Sequence, residues 1–232
     1  MIEAHWSALC RYMGWPEGAG IHVQPEEELT PRYPLAVYDG PGCRVILVTP
    51  ELASVTGEIA ALPREWTVLR LAEEIFPGVP AEADPACYYL LPDGVPLPDT
   101  PAVRLLSPAD EAAWQALLMT CTLRERLAGE ISLKDPVVTG AFDTDGVLTA
   151  AASFLYWGEV LADIGVLTHG GRRRQGWGAQ AVAALCREGR ALGKLVQYRC
   201  DDANFASRDL CLGLGFLPTI PLTGLKLALP EE

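Results

Sequence analysis

The rhythm of apolar and polar positions changes character midway along the chain. Between residues 92 and 101 the run PDGVPLPDTP holds four prolines. Proline lacks a backbone donor and clashes with a preceding helical turn, so this stretch suits neither a helix nor a central strand and reads as a linker. Beyond it the pattern is legible. Residues 103–106 suit a strand. Ser107 is a good helix cap, with Pro108 at the first helical position and Glu111 near the start. Ala113, Leu117, Met119 and Cys121 then give an amphipathic helix. VVTGAF (137–142), the turn at Asp145-Gly146, VLTAAASFLYW (147–157), a second turn at Gly158-Glu159 and VLADIGVLT (160–168) predict a three-stranded antiparallel meander. A Gly/Arg-rich loop leads into the helix AQAVAALCREGRAL (179–192), which Gly193 ends. LVQYRC (195–200) is a strand, SRDLCLGLG (207–215) a short helix, and FLPTIPLTGLKLAL (216–229) a final strand or pair. Strands interleaved with helices in this order give an α/β chain of the α+β, mixed-sheet kind, with helices on the sheet faces.

Upstream of the linker, LAVYDGPGCRVILVTP (35–50) reads as a hairpin turning at Gly40-Pro41-Gly42. Thr49 is placed to cap a helix over residues 50 to about 62. Residues 67–91 add another helix and a short strand. This divides the chain into a smaller α/β domain over 1–98, with no motif and a packing or substrate-shaping role, and a second domain over 99–232.

Composition narrows the function. The net charge of −12 repels phosphate backbones, which disfavours DNA or RNA as a partner; it favours cationic substrates such as amines and also aids solubility. No run of about 18 apolar residues predicts a membrane span, and the N-terminal stretch does not read as an export signal. Seven cysteines without CxxC spacing suit reduced thiols in the cytoplasm, and His5, His22 and His169 stand apart, with no metal-site pattern. Nothing fixes the oligomeric state, so a homodimer stays open.

The stretch that carries chemistry is His169-Gly-Gly-Arg-Arg-Arg-Gln-Gly-Trp-Gly-Ala179, between a strand and a helix. Glycines 176 and 178 let a ligand approach the backbone, and the free amides and dipole of a helix start favour an anion. That combination suits a phosphate or diphosphate. Arg172, Arg173 and Arg174 stand alongside as further phosphate partners. The spacing fits neither a dinucleotide fingerprint nor a Walker A loop; a solvated arginine cluster before an ordinary helix is the plainer alternative.

Arg173, Gly176 and Gly178 match the Arg/Gln-x-x-Gly-x-Gly/Ala motif of the GNAT family. Asn204-Phe-Ala-Ser207 and Leu214-Gly215-Phe216 match its later segment, and Ile164-Gly-Val-Leu-Thr168 looks like its fourth strand. Residues 102–220 thus resemble a GNAT domain, of the bacterial kind with an extra N-terminal domain. The resemblance implies an acyl-coenzyme A site in an opening between strands 160–168 and 195–200, with acetyl-CoA as donor and a small-molecule or peptide amine as acceptor. It implies cofactor contacts from Val166, Leu167, Thr168, Arg173, Arg174, Gln175, Gly176, Trp177, Gly178, Ala179, Asn204 and Ser207.

Direct transfer to an amine needs a base for the amine and an acid for the departing thiolate. Asp163, a carboxylate in an otherwise apolar strand, is the first candidate base, with a pairing to an arginine such as Arg199 as its structural alternative. Asp201, Asp202 and Glu159 rank behind it. In the family a tyrosine stands seven residues after the Asn position; here that residue is Cys211, either the acid or a packing residue, with water or Tyr198 as substitutes. Tyr156 and Trp157 are candidates for shaping an acceptor pocket. The expected function is an N-acetyltransferase; the departure at 211 leaves a non-catalytic acyl-CoA sensor or assembly module as the alternative.

Overall fold

The computed structural model describes residues 1–98 and 100–228; Asp99, at the expected domain boundary, and residues 229–232, including the end of the expected last strand, lie outside them. In chain order the elements are α1 (Ile2–Met13), β1 (Gly20–Pro25), β2 (Leu35–Gly40), β3 (Cys43–Val48), α2 (Thr56–Ala60), α3 (Val68–Ile75), β4 (Ala81–Leu90), β5 (Val103–Leu105), α4 (Glu111–Met119), α5 (Leu123–Gly129), β6 (Val138–Phe142), β7 (Leu148–Trp157), β8 (Leu161–Thr168), α6 (Trp177–Ala191), β9 (Leu195–Asp201), α7 (Phe205–Gly213) and β10 (Leu217–Leu227). They fall into two compact units. One comprises Met1–Tyr88, Cys200–Phe205 and the segment from Pro218; the other comprises Tyr89–Arg199 and Ala206–Leu217. No helix of the described residues is long and apolar enough to cross a membrane.

In the first unit the strands lie in the order β1-β3-β2-β10-β4. The hairpin β2–β3 forms as its sequence predicts, and β1 joins β3 in parallel. The chain's last strand pairs antiparallel with β2 through Leu222–Leu225. Pro218 and Pro221 stay outside that paired run, where a missing amide costs no bond to β2. Leu35, Val37, Ile46, Val48, Leu71 and Leu225 form the buried core. The expected helix over 50–62 is broken into a 3-10 turn (Pro50–Val55) followed by the short α2. Thr49 makes no side-chain cap bond, and Val55, Thr56 and Gly57 are poor helix formers. The strand expected to be short is the ten-residue β4, and α1 and β1 were not foreseen.

The second unit orders its strands β9-β8-β7-β6-β5. The meander β6–β7–β8 is antiparallel and β9 joins β8 in parallel, so the sheet is mixed. Ala150, Ala151 and Ala152 of β7 are fully buried, and such small side chains let helices approach closely. On α6, a Cβ at Gly189 would lie 2.6 Å from Val196 and 2.8 Å from Phe154, so glycine sets how near that helix sits. Ser107 caps its turn in a capping box with Asp110. The linker lies along α6: Arg190 Nη1 donates to the Val95 carbonyl (2.7 Å), its Nη2 to that of Pro92 (2.8 Å), and Arg187 Nη1 to that of Pro98 (2.5 Å).

Candidate functional site

Strand β8 pairs with β7 along its whole length, from Leu161 opposite Trp157 to Thr168 opposite Ala150. Its parallel ladder with β9 is shorter, running from Leu161–Leu195 only to Ile164–Tyr198. The last four residues of β8 therefore have β7 on one side and no strand on the other. His169 N donates to Thr149 O (2.8 Å), which fixes the phase of the β7–β8 ladder. Odd-numbered residues of β8 spend their backbone groups on β7, and even-numbered ones turn theirs to the β9 side. Val166 and Thr168 thus direct N–H and C=O into the opening. Thr168 O takes a contact from Cys121 Sγ (3.6 Å). Leu167, expected beside them, is a correction: its backbone serves β7, and its buried side chain sits where a Cβ on Gly129 would come within 2.8 Å.

The loop after β8 is built by local bonds. His169 Nδ1 accepts from Gly171 N (3.1 Å), and Gly170 N donates to Thr120 Oγ1 (3.1 Å). Arg174 adopts φ 57°, an unusual left-handed conformation for a non-glycine residue, and Gly176 caps α6 at φ 83°, ψ 0°. Gly178 is buried; a Cβ there would lie 2.8 Å from Thr168 Oγ1 and 3.2 Å from Leu210, so this glycine lets the helix start sit close to the strand end. Among the described residues the amides of Arg173 through Ala179 have no protein acceptor. Gln175 Oε1 accepts from Trp177 Nε1 (3.3 Å).

Two of the three arginines do not reach outward as expected. Arg172 pairs with Asp143, and Arg173 with Glu125 (2.6 Å). The Glu125 carboxyl is held below its ordinary range chiefly by the Thr122 amide, with Arg173 adding to it. Only Arg174 of the three lacks an acidic partner among the described residues. Sequence reading missed Glu125 because α5 was not foreseen, although Thr122-x-x-Glu125 is a capping-box signature and does cap that helix.

Asp163 stands one residue before the end of the β8–β9 ladder, almost wholly buried. Gln197 Nε2 donates to its Oδ1 (3.0 Å) and Arg199 Nε to its Oδ2 (3.0 Å). Arg199 Nη2 also reaches Glu130 Oε2 (2.6 Å), and its guanidinium lies over the Trp157 ring (4.8 Å). Burial pushes the Asp163 pKa up to about 6, against the pull of Arg199. The arginine pairing anticipated for Asp163 is thus present, and Glu130, at the αL end of α5 with φ 47°, is an unanticipated member.

The opposite sheet face carries the other hydroxyl and thiol groups. Tyr198, buried, shares a hydrogen bond with Ser207 of α7 (2.8 Å) and packs edge-on against Phe216. Cys211 is fully buried one turn beyond Ser207, its thiol donating to Arg208 O (3.2 Å). Asn204 falls in the first unit, exposed, its amide bonded to Asp201 O (2.9 Å). Asp163 and Tyr198 therefore face opposite sides of the sheet, beside the opening between the two strands.

No family model matches the chain, and no curated protein matches it. Solved structures do. A GNAT-family protein from Novosphingobium aromaticivorans superposes with a TM-score of 0.51 at 22% identity, over 64% of this chain and 67% of that one. A GNAT-family acetyltransferase from Colwellia psychrerythraea gives 0.51 at 14%, over 64% and 57%. A GCN5-related N-acetyltransferase from Sphaerobacter thermophilus gives 0.51 at 15%, over 71% and 57%. The match spans less than two thirds of the latter two chains. At these identities the likeness establishes the architecture: the chain carries the mixed α/β fold of GNAT proteins.

Proposed function

We propose that the chain belongs to the GNAT superfamily and is an N-acetyltransferase that moves an acetyl group from acetyl-CoA to a primary amine. One conjunction carries this reading. Within a single unit, a helix start with unspent amides follows directly on a strand whose edge is released from its neighbour. The group fits on two counts: the amides of Arg173 to Ala179 have no protein acceptor, and the space around Gly176 is open. The amides of Arg174, Gln175, Gly176, Trp177, Gly178 and Ala179 would hold the diphosphate, aided by the helix dipole and the Arg174 charge. Val166 and Thr168 would bond the amide-bearing arm, with Ser207 further along it.

When bound, acetyl-CoA supplies an activated acyl thioester. The protein's part is to orient and to move protons. Most amines are protonated at neutral pH, and a base with a pKa near 6 is largely ionised there, so Asp163 is suited to take the nitrogen's proton, directly or through water. The thiol of Cys211 spends its proton on the Arg208 carbonyl, so we assign the acid role to the Tyr198–Ser207 hydroxyl pair instead.

Calorimetry with CoA and a free-thiol assay over an amine panel test this reading. Saturable CoA binding with turnover that persists in Cys211→Ala is the expected result, and absence of CoA binding by folded protein refutes it. A second reading, a non-catalytic acyl-CoA sensor, is motivated by the cysteine at position 211 with its thiol already engaged. It requires CoA binding without turnover on any amine.

A further inference from the structure

Beside the opening, a cluster of charges is centred on Arg199. One guanidinium serves two carboxylates: the buried Asp163 through Nε and the half-exposed Glu130 through Nη2, while its flat face lies on Trp157. Gln197 holds the remaining oxygen of Asp163. Leu155 of β7, opposite Asp163, brings no charge. The trio of Asp163, Arg199 and Glu130 carries a net charge of −1 when both acids are ionised, so it has room for one proton, and Glu130 and Asp163 compete for the same cation.

We propose that Arg199 and Glu130 are positioning residues that set, in opposite directions, the pH at which the Asp163 carboxylate becomes free to accept a proton. This rests on the reading of Asp163 as the base of the proposed reaction. The direction of each effect follows from the geometry. Arg199 attracts negative charge on Asp163 and donates to it, which favours the ionised form; burial opposes that. Glu130 repels that charge and also draws on the guanidinium. Removing Arg199 therefore raises the Asp163 pKa, and removing the Glu130 charge lowers it.

The test is a pair of variants with two readouts. Arg199→Gln should move the acid limb of the rate profile upward by about one pH unit or more, cutting turnover about tenfold well below pH 6 and restoring it in alkali. Glu130→Gln should move the same limb downward. A change that merely loosened the site would lower the plateau without sending the limbs in opposite directions. Arg199→Lys keeps the charge but not the fork, and should fall between wild type and Arg199→Gln. The second readout is the 13C carboxyl titration of aspartate-labelled protein, with Asp163→Asn for assignment; it needs no ligand and no activity. If Asp163 titrates at the same pH in wild type and both variants, or shifts the same way in both, the inference falls. If the opposed shifts appear but no amine is acetylated, the inference about the trio stands and the proposed function is what fails. Glu130→Gln alters a surface side chain, so it remains decisive should Arg199→Gln not fold.

Discussion

Gly176→Val is the sharpest probe of the loop. Gly176 sits at φ 83°, ψ 0°, and nothing lies within 4 Å of where its Cβ would be. The added Cβ therefore meets no protein atom, and the cost to reckon is that of the backbone. A left-handed conformation costs an ordinary residue about 1–2 kcal/mol, with a β-branched one at the upper end, so ~2 kcal/mol is the working figure. If the loop keeps its shape, that loss lowers Tm by about 4–8 °C for a chain of this size. If it relaxes instead, the same strain must be restored on binding, which weakens CoA affinity about 30-fold. Gly176→Asn, whose side chain tolerates this conformation, should lose much less. Calorimetric titration with CoA beside a thermal melt reads both. A valine variant that binds CoA with unchanged affinity and melts with the wild type would refute the assignment of these amides to an anion.

Asp163 should leave a mark on stability against pH. Its folded pKa of about 6 lies above the ordinary 3.8, so the folded state holds this proton more tightly than the unfolded chain. The stability it contributes is full below about pH 4 and is lost as pH rises through 6, a change of about 3 kcal/mol. Urea melts of Asp163→Asn minus wild type should gain by that order between pH 4 and 7; a pH-independent difference would contradict the burial argument. Arg190→Met should remove the two bonds that hold the Pro92 and Val95 carbonyls to α6. Limited proteolysis should then cut within 92–98 many-fold faster, and an unchanged pattern would mean that apolar packing alone retains the segment.

What the sequence disclosed followed the reach of each signal. Strands β7 and β8 are largely apolar runs bounded by turn residues, so they emerge close to their observed limits. The glycine spacing around 176 and 178 is equally local, and it brought the expected helix start, at Ala179, within two residues of the observed Trp177. Helix α5 was lost because seven residues ending at Gly129 scarcely complete a hydrophobic period, leaving the capping box as its lone signal. The partners of Arg172 and Arg173 could not be read at all. Asp143 and Glu125 lie on separate elements, and three adjacent arginines look alike until the fold gives two of them carboxylates. Glu130 is hidden for the same reason, since only the seating of α5 on Gly165 brings it to Arg199.

The antiparallel pairing of β10 with β2 has a consequence for biosynthesis. Tyr38, made early, has Val45 on one side and finds its other cross-strand neighbour in Leu222, made long after it. The first unit therefore stays incomplete on the ribosome while the second, whose strands β5 to β9 are nearly consecutive, can collapse ahead of it. A nascent chain stalled before residue 217 would expose the edge of β2, offering chaperones or a neighbouring polysome a strand without its mate.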